Sequence, residues 1–356
     1  MSLPSLLALS ALIVCATTTH AAASRQPPAV EREYVYTANQ ASDTISGFRV
    51  DPDSGALTPV PHSPFATHRF PLSIATTPQG NYAYAVNQGT ADISIFRINR
   101  QDGSLHPASS PYIKTSLHPL WIAIDHRGRY AYVTSRDDSR ITAYRINAKT
   151  GMLHKIGDAP TQGNPLSIVI DPLDRYVYVT NFDSNSISAY TIGTDGRLTS
   201  IGKNAVPSDR KPIFGAIDAS GKRLFVANYG TTTASVYNIH PLTGALTPVP
   251  GSPFTVGSRP YAISIDPAGH YAYIVNWGNS TLSVLAIDPH SGALKHIPHS
   301  PFKTGDLPYA VNVDPTGRYV YVADNGANDI SAYKIDARSG SPTLLAPSPF
   351  PTGRGP

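Results

Sequence analysis

One hexapeptide recurs through the chain at a nearly constant period: YVYTAN from Tyr34, YAYAVN from Tyr82, YAYVTS from Tyr130, YVYVTN from Tyr176, RLFVAN from Arg223, YAYIVN from Tyr271 and YVYVAD from Tyr319. Successive copies lie 48, 48, 46, 47, 48 and 48 residues apart. A unit of this length with several short strands cannot bury both faces of its own small sheet, so it must stack on copies of itself. Tyr and Val alternating with small residues favour strands, and 33 prolines with 27 glycines punctuate them with turns.

Each unit carries three further strands. A turn rich in Asn, Asp, Gly and Ser leads to a second strand, at Ile45, Ile93, Ile141, Ile187, Ser235, Leu282 and Ile330. A third short strand follows a Gly-containing turn, as in DPDSGALTPV from Asp51, and a loop with a Ser-Pro-aromatic step comes after it. The fourth begins at a proline: Pro71, Pro119, Pro165, Pro212, Pro260 and Pro308. It ends in a turn such as DPAGH from Asp266, where Pro presets φ and Gly supplies φ > 0. The small residues of this strand, among them Ser73, Ala123, Ser167, Gly215, Ala262 and Ala310, place it innermost, where converging sheets leave least room. The pattern predicts an all-β, seven-bladed β-propeller. The proline strand occurs six times and its partners seven, so the first blade is expected to be three-stranded, with an exposed edge.

Before the repeats, LLALSALIVCA from Leu6 followed by Ala21, Ala22 and Ala23 reads as a secretory signal cleaved after Ala23. The apolar run is too short to span a bilayer. Residues 1–23 are assigned to the signal, 24–33 to a disordered leader and 34–356 to a single propeller domain, in a periplasmic or secreted protein. Cleavage would remove Cys15 and leave no thiol for disulfides, nucleophilic chemistry or metal ligation. Net charge is +4 with the basic residues scattered, which implies neither nucleic acid nor membrane insertion as partner.

The YVYVTN, ISAYxID, GxLT and PxxIxIDPxGR series resembles the YVTN β-propellers and, within them, the seven-bladed lactonase family of 6-phosphogluconolactonase type. The resemblance implies a lactone hydrolase, which needs a base and a group for the developing oxyanion. Members of that family resemble one another in placing Arg after the inner-strand proline in two blades, His near the start of another inner strand, and Glu after the Asn of a Tyr-rich strand. Those positions fall here on Ile213 and Tyr309, Leu166 and Tyr229. Ile and Leu cannot carry a proton, and a phenol near pKa 10 is a poor base at neutral pH.

The topology turns two sets of residues toward the mouth of the central channel. The loops before the inner strands bring His68, Arg69, His118, Asn164, Arg210, Lys211 and Arg259; the hairpins after the Tyr-rich strands bring Asn39, Asn87, Asn181, Asn228, Asn276 and Trp277. A ring of amides under basic groups suits a small polar or anionic ligand, a glycan or a protein partner. The plain alternatives are turn chemistry for the Asn residues, solvation for the basic ones and blade packing for Trp277. Trp121 reads as core. His296 and His299 lack a common helix face, and Asp183, Asn185, Asp324 and Asn328 lack the spacing of a calcium loop, so neither a metal nor a cofactor is called for. A binding scaffold is the favoured reading and a lactone hydrolase the alternative.

Overall fold

The computed structural model describes residues 12–17 (backbone path), 32–202 and 205–356. Seven antiparallel sheets follow one another along the chain, and each inner strand lies against the inner strand of the next blade, which closes the sheets into a ring. Blade 6 shows the plan: Pro260–Ile265 innermost, then Tyr271–Asn276, Thr281–Ile287 and Leu294–His296, with Phe302–Lys303 also pairing the third strand. In blades 2 and 3 the last two pieces merge into the single strands Leu105–Lys114 and Leu153–Pro160, so the Ser-Pro-aromatic segment is partly strand and not only loop.

All six proline-initiated inner strands carry a register shift just after the proline, as between Pro260 and Ala262. Proline has no N–H to give the ladder, and a bulge at that point absorbs the break. The core lies between blades. The second Tyr of each repeat is buried, and its hydroxyl donates to a glycine carbonyl in the outer turn of the following blade, as in Tyr84 to Gly151 at 2.8 Å and Tyr178 to Gly244 at 2.8 Å. The Tyr hydroxyls therefore stitch neighbouring blades together. Blade 5 has Phe225 instead, and Arg223 Nη2 donates to the carbonyls of Pro289 and His290 at 2.9 and 2.8 Å.

The first blade draws three core strands from its own repeat, Arg32–Asn39, Thr44–Val50 and Leu57–Pro59, as expected. Its inner edge is not open. Leu12–Thr17, from outside the repeats, runs antiparallel to the first of these, with Leu12 opposite Thr37 and Thr17 opposite Arg32. The apolar, partly β-branched LIVCAT sequence suits a strand as well as it suits an export signal. The remaining residues of the expected signal and leader, 1–11 and 18–31, lie outside the described residues. Arg32 and Glu33, assigned to the leader, already belong to the strand; the Arg32 guanidinium bonds the carbonyl of Gln101 in blade 2. At the other end of the chain, the carbonyls of Gly355 and Arg354 accept from the amides of Gln40 and Ala41, at 2.9 and 3.1 Å.

Candidate functional site

The residue before each inner-strand proline has the same left-handed backbone: φ is 58° at Phe70, 46° at His118, 57° at Asn164, 55° at Lys211, 50° at Arg259 and 52° at Leu307. For a residue with a Cβ this conformation costs roughly 1–2 kcal/mol, so each needs to be held there. The hairpin that follows the Tyr-rich strand does so. Tyr229 N donates to the Lys211 carbonyl at 2.9 Å and Trp277 N to the Arg259 carbonyl at 3.1 Å. Lys211 N in turn donates to Asn185 Oδ1 at 2.8 Å. Loop and hairpin therefore meet on one face. Around that face the pre-proline side chains form two arcs: polar in four consecutive blades (His118, Asn164, Lys211, Arg259), apolar at Leu307 and Phe70.

Beneath the polar arc lies an aromatic floor. The residues following the strand-end Asn in blades 4, 5 and 6 are Phe182, Tyr229 and Trp277, with ring centroids 6.0 and 5.9 Å apart in succession. Tyr261 and Tyr309, each next to an inner-strand proline, stack at 4.6 Å and 4°. Lys211 Nζ sits 5.1 Å over Phe182, and Arg259 Cζ sits 5.3 Å over Trp277 and 6.0 Å over Tyr229. Such cation–π contacts hold a charge in place without neutralising it. Among the described residues neither cation has a carboxylate within ion-pair distance.

The four positions that carry polar groups in the lactonase resemblance have become part of this apolar mass. Ile213, Leu166 and Tyr309 are buried in the largest core cluster, and Tyr229 packs against it. Burial raises the Tyr309 phenol, and Tyr261 lies well above its ordinary value for the same reason, so neither offers a phenolate base near neutrality.

Other expected site residues fare differently. Asn181, Asn228 and Asn276 are wholly buried, and each donates from Nδ2 to hydroxyls five and seven residues on, as Asn276 does to Thr281 at 3.0 Å and Ser283 at 2.9 Å. They lock hairpins and do not face a ligand. Over Asn276 lies Gly257, where a Cβ would come within 2.4 Å of the amide. Arg69 stands two residues before its proline, not one; it is exposed, and Phe70 takes the ring position that Lys211 and Arg259 hold elsewhere. Asn185 and Asn328 pin the amides of Lys211 and Gly355 at 2.8 Å each, a turn role. Trp121 is not plain core. Half-buried, it reaches past blade 4 to meet Phe214 edge-on at 4.6 Å, above a cavity of about 270 Å³ in the channel lined by small residues such as Ser167, Gly215, Ala262 and Ala310.

Two carboxylate partners were not foreseen. His118 Nδ1 pairs with Asp137, and His68 Nδ1 with Asp92 Oδ2 at 2.8 Å. Burial pushes the Asp92 carboxyl up, but hydrogen bonds from His68, Asn87 and Thr90 outweigh it and hold the group below its usual range. Each aspartate lies in the hairpin next to the loop histidine it pairs, so a search for acids at hairpin positions beside loop histidines would have found both.

Comparison with known proteins bears on this arrangement. The model of the seven-bladed lactonase β-propeller family matches residues 11–116, 118–211 and 248–353. No curated protein sequence matches the chain. Among solved structures, a candidate 6-phosphogluconolactonase from Bacteroides fragilis superposes with a TM-score of 0.80 at 18% identity, covering 91% of this chain and 96% of that one. Another from Bacteroides uniformis gives 0.77 at 18%, covering 97% of both chains. The periplasmic gluconolactonase of Pseudomonas aeruginosa gives 0.76 at 18%, covering 90% and 96%. At these identities the likeness is one of fold.

Proposed function

The chain belongs to the family of seven-bladed lactonase β-propellers, and we propose that within it this protein is an exported scaffold that binds a small, ring-shaped anion at the channel mouth over blades 4 to 6. The observation that carries the reading is the pair Lys211 and Arg259: both on strained backbone, both over aromatic faces, neither met by a carboxylate. An anionic group would satisfy the two charges while a sugar or aromatic ring lay on Tyr229 and Trp277. The apolar residues at the four lactonase positions argue against the family's hydrolytic chemistry at those positions. Export is supported by the signal-like N-terminal run and by the periplasmic location named for the Pseudomonas aeruginosa protein.

A second reading, lactone hydrolysis, is favoured by one feature: His118 paired with Asp137 on the same polar arc has the form of a general base with its orienting acid. One experiment separates the two. Gluconolactone and its 6-phosphate are incubated with the purified chain in a pH-stat, and glucuronate, a pyranose ring with a carboxylate, is titrated against it by thermal shift. Saturable stabilisation by glucuronate with no turnover of either lactone, lost in Lys211→Ala with Arg259→Ala, supports the scaffold. Turnover above the buffer rate that His118→Ala abolishes supports the hydrolase.

A further inference from the structure

On the face opposite the mouth, the turns that end the inner strands make clefts between adjacent blades. In five blades the turn opens with an aspartate: Asp125, Asp171, Asp218, Asp266 and Asp314. In blade 6, Asp266 Oδ1 accepts from the amides of His270 and Tyr271 at 2.7 and 2.6 Å. Blade 2 alone among the proline-initiated blades uses Thr77, whose hydroxyl accepts from Asn81 N and Tyr82 N at 3.2 and 3.1 Å. The turn is kept and its negative charge is gone.

That loss falls where positive charge gathers. The cleft between blades 2 and 3 encloses about 430 Å³ and is lined by Arg127, Arg129 and Arg145 from one side and by Thr77, Gln79 and Asn81 from the other. Gln79 Nε2 bridges the blades to the Arg127 carbonyl at 3.1 Å. Arg129 is paired with Asp125 at 3.2 Å, Arg127 reaches Asp174 only at 3.9 Å, and Arg145 meets no carboxylate among the described residues. The corresponding cleft between blades 6 and 7 is half as large, about 210 Å³; it has Asp266 in the place of Thr77 and Thr316 in the place of Arg127. One position of the ring has thus shed an acid and gained a guanidinium at the same spot.

We propose that the cleft between blades 2 and 3 is an anion site, separate from the mouth, that takes a phosphomonoester of monosaccharide size with its phosphate among Arg127, Arg129 and Arg145. Guanidinium groups match phosphate oxygens in geometry and charge, and the volume exceeds what inorganic phosphate alone would fill. The inference does not depend on the mouth reading.

The test is isothermal titration of the full chain at low salt with glucose 6-phosphate, inorganic phosphate and glucose. It uses the wild type, Arg145→Gln, Thr77→Asp and the double variant Lys211→Ala with Arg259→Ala. Thr77→Asp restores the residue that the other turns use, so the fold is kept while a negative charge enters the cleft. The expected result is saturable binding of glucose 6-phosphate, tighter than inorganic phosphate and absent for glucose. Thr77→Asp should weaken it at least about tenfold by charge repulsion, Arg145→Gln should weaken it too, and a saturable site sensitive to Thr77→Asp should remain in the mouth double variant, whatever binding that variant loses at the mouth. Absence of saturable binding, equal binding of glucose, or an affinity indifferent to Thr77→Asp and Arg145→Gln would overturn the proposal. So would loss only in the mouth variant, and that result would support the mouth reading instead.

Discussion

The hydroxyl of Tyr321 donates to the carbonyl oxygen of Gly55 at 3.0 Å, across 266 residues of sequence, and so joins the last blade to the first. Gly55 sits at φ +72° with the ring of Tyr319 against it, and a Cβ there would lie 2.4 Å from that ring. This contact repeats the stitch seen at the other Tyr junctions, so closure does not rest on the inner strand alone. Tyr321→Phe should cost about 1–3 kcal/mol, because the ring still fits while a buried carbonyl loses its donor. Phe225 in the same position of blade 5 shows that the bare ring packs. A thermal melt with a drop of a few degrees and unchanged circular dichroism is the expected outcome; an unchanged melt would show the stitch to be idle.

Asp324 replaces, in blade 7, the buried Asn of its neighbours. Where Asn87 donates across the hairpin to Asp92 at 2.9 Å, Asp324 faces Asp329, and its Oδ2 accepts from Ser331 at 2.6 Å. Burial, with the Asp329 charge beside it, pushes its pKa up to about 7. A carboxyl raised in the folded state binds its proton more tightly there than in the unfolded chain. Stability from this group is therefore full below about pH 4 and is lost as pH rises toward 7. Asp324→Asn should raise the melting temperature more at pH 8 than at pH 5. Glu33, also raised to about 7 by burial, titrates in the same window, so the informative quantity is the difference between variant and wild type at each pH. An equal gain at both pH values would sink the idea.

The lactonase positions make a third prediction. Ile213 is wholly buried among Phe182, Tyr261 and the other members of the main cluster. Putting the family's arginine there, Ile213→Arg, forces a charge into a site with no partner, and the expected loss is several kcal/mol. Soluble expression and chemical denaturation check it. A variant as stable as the wild type would show that the cluster can open to a polar group, and would reopen hydrolysis at those positions.

What could be read in the sequence and what could not divides along physical lines. The Tyr repeat, the proline strand and the DPxG turn were legible because each is dictated by local sterics or by a packing role repeated seven times. The site was less so. Counting back from proline does not reveal which loop residue takes the left-handed conformation, so in sequence Arg69 looks like Lys211 and Arg259 although its backbone position differs. Strand-end asparagines look alike whether they serve a hairpin or a ligand; only the hydroxyls at five and seven residues, such as Thr281 and Ser283, decide between them. Trp121 could not be told from a core residue, because its contact with Phe214 crosses an intervening blade.

The last prediction concerns Leu12–Thr17, for which two roles compete. An apolar run with β-branched residues serves an export signal, and it also serves an inner strand against Arg32–Thr37. Cleavage after Ala23 would remove the strand and leave the inner edge of the first blade unpaired. Its lost ladder bonds are each worth roughly 0.5–1.5 kcal/mol. The ring would still be held by Tyr321 to Gly55 and by the amides of Gln40 and Ala41 on the carbonyls of Gly355 and Arg354. A chain beginning at Ser24 should therefore fold, melt below the full chain, and exchange its Tyr34 and Tyr36 amides faster while the Tyr84 and Val86 amides of the second blade stay protected. Equal melting temperatures and equal exchange would show that the segment contributes nothing to the ring, leaving export as its role.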